Sequence, residues 1–142
     1  MPNNRLEGLC IGVPEIDDQH RELLARVRDL VEAVAAGEPL AEIDRRTRSV
    51  EAYAVAHFGS EEELMIVFGW PHYAEHRREH SAFLERYAGL RDRLLAEPAT
   101  PNLAIELRRE VHDELIRHFA ETDMALGEFL RARLPNRRQA AS

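Results

Sequence analysis

The sequence predicts an all-α protein, an antiparallel up-down-up-down four-helix bundle with an extended N-terminal arm. Its 142 residues suit one domain, and a composition of 44% hydrophobic and 32% charged residues is typical of a globular helical chain. Turns with Gly or Pro divide the chain into four long segments, and apolar residues recur in each at steps of three and four. Short connections between long helices favour antiparallel neighbours.

The four segments predict helices over 18–36, 40–68, 71–96 and 101–134. Gly37 and Gly69 suit the left-handed position that follows a helix. Pro71 and Pro101 suit the first turn of the next helix, and Thr100 suits the N-cap before Pro101.

The start of the chain predicts an arm and not a helix. Leu9, Ile11 and Val13 alternate with other residues, so residues 1–16 are expected to lie extended against the bundle. Asp17 or Asp18 is expected to cap the first helix. The predicted organisation is an arm, the bundle and a short basic tail, over residues 1–16, 17–134 and 135–142.

Charge and cysteine content narrow the classes of partner. The 19 basic and 26 acidic residues give a net charge of -7 and alternate along the chain, which argues against nucleic acid or a membrane as partner. One cysteine, Cys10, forms no disulfide within the chain, and no apolar run is long enough for a signal peptide or a membrane span. We therefore expect a cytoplasmic protein that is a monomer or a weak homo-oligomer.

Ionisable residues interrupt the apolar stripes of the four helices. Because a buried ionisable group costs several kcal/mol unless it is paired or coordinated, these residues need a common partner. His72 and His112 fall beside the stripes and are expected at the surface, and Glu62 and Glu63 are interpreted as a solvated acidic run. The residues on the stripes are His20, His57, Glu61, His76, His80 and His118.

These side chains are predicted to meet in one layer. At 1.5 Å per residue, all five histidines lie roughly 30 Å from the turns at one end of the bundle. His57 and Glu61 are four residues apart, as are His76 and His80, so each pair projects from one helix face and can bind one centre. Imidazole and carboxylate at this spacing predict a metal site.

Asp123 is a further candidate ligand whose spacing fits less well. It lies five residues after His118, which in a regular helix turns the carboxylate aside by about 140°. Either Asp123 reaches back to bridge two centres, or a π-bulge absorbs one residue. Leu126 and Leu130 continue from Asp123 and favour a shifted register, whereas in a regular helix Glu121 would be the rival ligand.

The pattern resembles the hemerythrins, specifically the single-domain bacterial members. The matching stretches span all four helices and read GVPEIDDQHREL, HFGSEEELM, HYAEHRREHSAF and LIRHFAETDMALGEFL. The resemblance implies two iron ions joined by an oxo or hydroxo group. It implies that His76, His80 and His118 bind one iron, that His20 and His57 bind the other, and that Glu61 and Asp123 bridge both.

Five imidazole nitrogens, four carboxylate oxygens and the oxo or hydroxo group, which binds both irons, would fill eleven of the twelve coordination positions of two octahedral irons. One position is left for dioxygen. The resemblance implies reversible dioxygen binding by a carrier, storage or delivery protein that is not an enzyme, with an unidentified recipient of the oxygen. The alternatives are an oxygen or redox sensing module, which needs an output surface, and a di-iron oxidase or peroxide-consuming enzyme. Glu114 stands where the family commonly has an aromatic residue, and Phe119 replaces the usual aliphatic one.

Overall fold

The computed structural model describes residues 10–134, and in that range the chain forms four long helices and no strand. The first three are α1 (Pro14–Ala35), α2 (Leu40–Phe68) and α3 (Tyr73–Ala96). The fourth, α4, runs over 101–133. The predicted four-helix bundle is confirmed. None of the helices in this range has both the length and the apolarity to cross a membrane.

Helix α4 changes its winding twice without ending. Two π-helical turns separate three α-helical segments, and each π turn inserts one residue into the regular hydrogen-bond ladder. The α-helical segments are Pro101–Leu107, Glu114–His118 and Met124–Arg133. The π turns are Arg108–Asp113 and Phe119–Asp123.

The turns between the helices follow from their residues. Gly37 and Gly69 adopt φ of 67° and 72°, in the left-handed region that favours glycine. After each of them a backbone N–H returns to the last helical turn, at 3.1 Å from Glu38 N to Ala33 O and 2.8 Å from Trp70 N to Met65 O. The Thr100 hydroxyl accepts from Leu103 N at 3.1 Å, which confirms its predicted capping role.

The structure differs from the sequence-based expectation at two helix starts. Helix α1 begins at Pro14, so neither Asp17 nor Asp18 caps it. Asp17 instead accepts from the backbone N–H of Ile11 at 2.8 Å and of Gly12 at 3.2 Å, and ties the segment 10–13 to α1. Pro71 lies in a turn before α3. Residues 1–9 of the expected arm and the expected tail over 135–142 lie outside the described residues.

Buried apolar residues form two clusters at different heights in the bundle. The larger one fills the bundle towards the turns after α1 and α3 and includes Leu23, Val50, Tyr87, Leu107 and Leu115. The smaller one lies at the opposite end and consists of Ile11, Val13, Ile16, Met65, Leu126 and Leu130. Along α1, His20 falls between Ile16 of the smaller cluster and Leu23 of the larger one, and along α2, Glu61 falls between Phe58 of the larger cluster and Met65 of the smaller one.

Gly127 of α4 allows the segment 10–13 to pack against the bundle, because a Cβ there would lie 2.6 Å from Ile11 Cβ and 2.7 Å from Ile11 O. We predict that Gly127→Ala lowers the free energy of unfolding by about 1–3 kcal/mol through overpacking. The matched control is Gly89→Ala in α3, whose Cβ would meet no atom within 4 Å. It should raise that free energy by about 0.5–1 kcal/mol. Thermal unfolding of both variants tests this, and equal stability would contradict it.

Candidate metal centre

All seven predicted site residues lie together in one buried layer, and each is at most 6% exposed. Every helix contributes to the layer. Helix α1 provides His20, α2 provides His57 and Glu61, α3 provides His76 and His80, and α4 provides His118 and Asp123. The prediction that these side chains converge at one height is confirmed by the geometry. Their role as ligands remains a prediction.

Each carboxylate points one oxygen at each of two histidine groups. Glu61 Oε2 lies 2.9 Å from His57 Nε2 and 3.3 Å from His20 Nε2, while its Oε1 lies 3.1 Å from His80 Nε2. Asp123 Oδ2 lies 2.9 Å from His20 Nε2, and its Oδ1 lies 2.8 Å from His76 Nε2 and 3.1 Å from His118 Nε2. The result is two adjoining subsites that share both carboxylates.

The subsites differ in their number of histidines. We call them the triple subsite, formed by His76, His80 and His118, and the pair subsite, formed by His20 and His57. In each of them the ligand atoms, including the shared carboxylate oxygens, lie within 4.8 Å of one another.

The inward atoms lie close together but are poorly aligned for hydrogen bonds. Among residues 10–134, the Nε2 atoms of four of the histidines and both oxygens of Asp123 have no hydrogen-bond partner, although they are fully buried. Buried polar atoms without partners are rare in proteins. Lone pairs that point at a shared centre fit the binding of metal ions, which imidazole and carboxylate ligands favour.

The electrostatics of the layer favour positive charge. Burial alone would lower the pKa of His118 and of His76, but the nearby carboxylates outweigh it and raise the two values to about 10 and about 9. Burial and the charge of Glu61 would raise the pKa of Asp123, yet His118 and His20 hold it well below its usual range. The carboxylates of the layer thus favour positive charge at its centre.

A π turn brings Asp123 into the layer. The turn covers Phe119–Asp123, so the residue five positions after His118 falls on the same helix face. The second alternative for Asp123, a π-bulge, is therefore the observed one. Glu121 is exposed and lies 3.4 Å from Arg117 Nη1, outside the cluster. Leu126 is buried, in agreement with the shifted register.

Three acceptors outside the layer were missed by the sequence analysis. His57 Nδ1 donates to Gln19 Oε1 at 2.7 Å. His80 Nδ1 donates to Glu62 Oε2 at 2.8 Å, and His118 Nδ1 donates to Glu79 Oε1 at 3.0 Å. The interpretation of Glu62 as a solvated residue was wrong, because its side chain is only 24% exposed and binds His80.

A sequence signal for these acceptors exists, since each is adjacent in sequence to a predicted ligand. Gln19 precedes His20, Glu62 follows Glu61, and Glu79 precedes His80. Each of them contacts a histidine of the next helix along the chain, so the contacts run from α1 to α2, from α2 to α3 and from α3 to α4. This regular order was not evident without the packing of the helices.

Aromatic rings fix two of the imidazoles from the side. Phe119 stacks on His20 with ring centroids 3.7 Å apart and planes 13° apart, and Phe58 stacks on His80 at 4.0 Å and 11°. Both phenylalanines are buried. The phenylalanine at 119, where the family commonly has an aliphatic residue, thus packs directly on the pair subsite.

Glu114, the other departure from the family pattern, lies beside the triple subsite. Its Oε1 accepts from Arg117 Nη2 at 2.6 Å. Both residues line a cavity of about 190 Å³ that also reaches His80 and His118. The two remaining histidines are outside the layer, since His72 is exposed and His112 is partly buried.

Comparison with known proteins agrees with this geometry. The family model described as "Hemerythrin HHE cation binding domain" matches residues 11–130. The chain belongs to the hemerythrin family. It is 32% identical to a bacteriohemerythrin of Stenotrophomonas maltophilia over 134 residues, covering 90% of this chain and 81% of the relative. It is also 32% identical to one of Methylococcus capsulatus over 116 residues, covering 82% and 86%.

A solved structure shares the fold. The crystal structure of a wild-type hemerythrin superposes with a TM-score of 0.71 at 28% identity and covers 83% of this chain and 88% of that one. The match to the family model extends from residue 11 to residue 130, so it includes part or all of each helix and every residue of the buried layer.

The position of Asp123 predicts different effects of two acid-to-amide changes in α4. Asp123→Asn replaces one of the two carboxylate oxygens, which face different subsites, with an amide nitrogen, and we expect the variant to bind fewer metal ions per chain than the parent. Glu121→Gln changes an exposed carboxylate outside the cluster and should leave the metal content unchanged. Elemental analysis of the purified proteins tests both. Loss of metal from the Glu121 variant alone would mean that the shifted register is wrong.

Proposed function

We propose that the seven side chains of the buried layer hold two iron ions and that the protein binds dioxygen reversibly, as a carrier, storage or delivery protein. The supporting observation is the placement of the carboxylate oxygens of Glu61 and Asp123. Each residue directs one oxygen to the triple subsite and one to the pair subsite. Two carboxylates arranged in this way suit two adjacent metal ions, with an oxo or hydroxo group as a third bridge.

The unequal subsites account for the binding of a single small ligand. In the proposed assignment, His76, His80 and His118 hold one iron, and His20 and His57 hold the other. Since the pair subsite provides one nitrogen fewer, the iron held there would have a coordination position left for dioxygen. A pair of ferrous ions would supply the two electrons that dioxygen binding requires.

The composition of the layer favours reversible binding over oxygen cleavage. Ferritin-like di-iron proteins use four glutamates and two histidines, whereas this layer contains five histidines and two carboxylates. Anionic oxygen ligands stabilise the higher oxidation states needed for cleavage, and neutral imidazoles favour the ferrous state. The histidine-rich layer therefore supports a binding protein and not an oxidase.

The surroundings of the pair subsite limit access of water. Phe119 covers one face of His20 and is itself 0% exposed. On the other side of the layer, Met65 and Leu126 of the smaller apolar cluster are also fully buried. These residues make an apolar environment that suits an uncharged diatomic ligand.

The proposal predicts two irons per chain and an absorption band in the visible range that depends on oxygen. The band should appear under air and disappear on deoxygenation over repeated cycles, without consumption of an added reductant. Metal analysis combined with spectra under both conditions tests this. One zinc per chain and no colour would overturn the proposal, and steady consumption of reductant would favour a di-iron enzyme instead.

Removal of one histidine of the pair subsite should reduce the iron content. We expect His57→Ala to lower the iron stoichiometry from two towards one, because the pair subsite would keep a single nitrogen ligand. His72→Ala is the matched control, since His72 is exposed and lies outside the cluster. If the His57 variant retains two irons, its assignment as a ligand is wrong.

A further inference from the structure

The two subsites differ in the hydrogen bonds made on their outer side. In the triple subsite, two of the three histidines donate to carboxylates, His80 to Glu62 and His118 to Glu79. In the pair subsite, His57 donates to the neutral amide oxygen of Gln19. His20 Nδ1 has no hydrogen-bond partner among residues 10–134. The carboxylate contacts are thus confined to one side of the layer.

A carboxylate on Nδ1 affects the imidazole in two ways. It only accepts hydrogen bonds, so Nδ1 carries the proton and Nε2 presents its lone pair to the interior. It also makes the imidazole a more basic ligand than a neutral acceptor does. An amide oxygen selects the same tautomer but donates less electron density. Metal affinity should therefore be higher where the carboxylates are.

Glu79 is held in place by further contacts, so its effect on His118 is geometrically defined. Thr122 Oγ1 donates to the Glu79 carboxylate at 3.0 Å, and Arg117 Nη2 lies 3.4 Å from Glu79 Oε1. Thr122 belongs to the π turn that ends at Asp123. Glu79 thus links α3 to the part of α4 that carries His118 and Asp123, and it orients the His118 imidazole.

We propose that Glu62 and Glu79 are positioning residues that make the triple subsite the tighter of two unequal iron sites, while Gln19 keeps the pair subsite weaker. This inference rests on the proposed di-iron function. It implies that iron leaves the protein in two steps, from the pair subsite first. It also gives the neutral residue at position 19 a role, because a weakly donating acceptor there preserves the ferrous state next to the open position.

The test is an anaerobic equilibrium competition between the iron-loaded ferrous protein and increasing concentrations of a ferrous chelator, with iron per chain measured at each point. We expect two separate dissociation constants for the parent. Glu79→Gln and Glu62→Gln should each weaken the tighter site roughly 10-fold or more and leave the weaker one unchanged. Glu63→Gln is the matched control in α2, since Glu63 is adjacent to Glu62 but exposed, and it should change neither constant.

A reciprocal variant separates positioning from a merely structural role. Gln19→Glu places a carboxylate on His57 and should strengthen the weaker site, so that the two constants approach each other. Ligand variants identify the steps, because His118→Ala should remove the tighter one and His57→Ala the weaker one. A single step in the parent, or an unchanged weaker constant in Gln19→Glu, would overturn this inference. Absence of bound iron in the parent would instead overturn the proposed function.

Discussion

The structure depends on one electrostatic constraint, which is that seven ionisable side chains are removed from water in a single layer. Burial of unpaired charge costs several kcal/mol per group, and neither the five imidazoles nor the two carboxylates find enough partners outside the layer. Each group is therefore stabilised by the others, and the layer as a whole favours positive charge at its centre. The pKa values of His76 and His118 are raised and that of Asp123 is lowered because imidazoles and carboxylates of the layer stabilise each other's charged forms.

A hydrogen bond of the same kind orients a buried histidine at each junction between successive helices. A side chain adjacent to a predicted ligand on one helix accepts a hydrogen bond from a predicted ligand on the next, as Gln19 does for His57 and Glu79 for His118. Rotation of α2 or α3 about its axis would break such contacts on both of its sides, and rotation of α1 or α4 would break one. The hydrogen bonds that orient the imidazoles thus also define the relative rotation of the helices, so the fold and the site are specified together.

Local signals predicted most of the fold, and tertiary contacts decided the rest. Gly37, Gly69 and Thr100 were predicted correctly because a left-handed turn and an N-cap depend on the residue itself. Asp17 was misassigned as a cap because its carboxylate serves the N–H groups of the segment 10–13, which pattern analysis does not place in space. Likewise, both alternatives for Asp123 fitted the sequence, and the choice depended on how α4 packs.

The segment 10–13 closes the end of the bundle at which the smaller apolar cluster lies. The smaller apolar cluster is completed by Ile11 and Val13, which are 0% and 3% exposed and close the bundle beyond Glu61 and Asp123. Asp17 holds this segment by two backbone hydrogen bonds, and Gly127 leaves room for the Ile11 backbone. Without this closure, water would reach the layer from the end of the bundle where the smaller apolar cluster lies. It would weaken the electrostatic interactions within the layer, because these are strongest in a medium of low dielectric constant. Residues that are not themselves predicted ligands therefore help to exclude water from the layer.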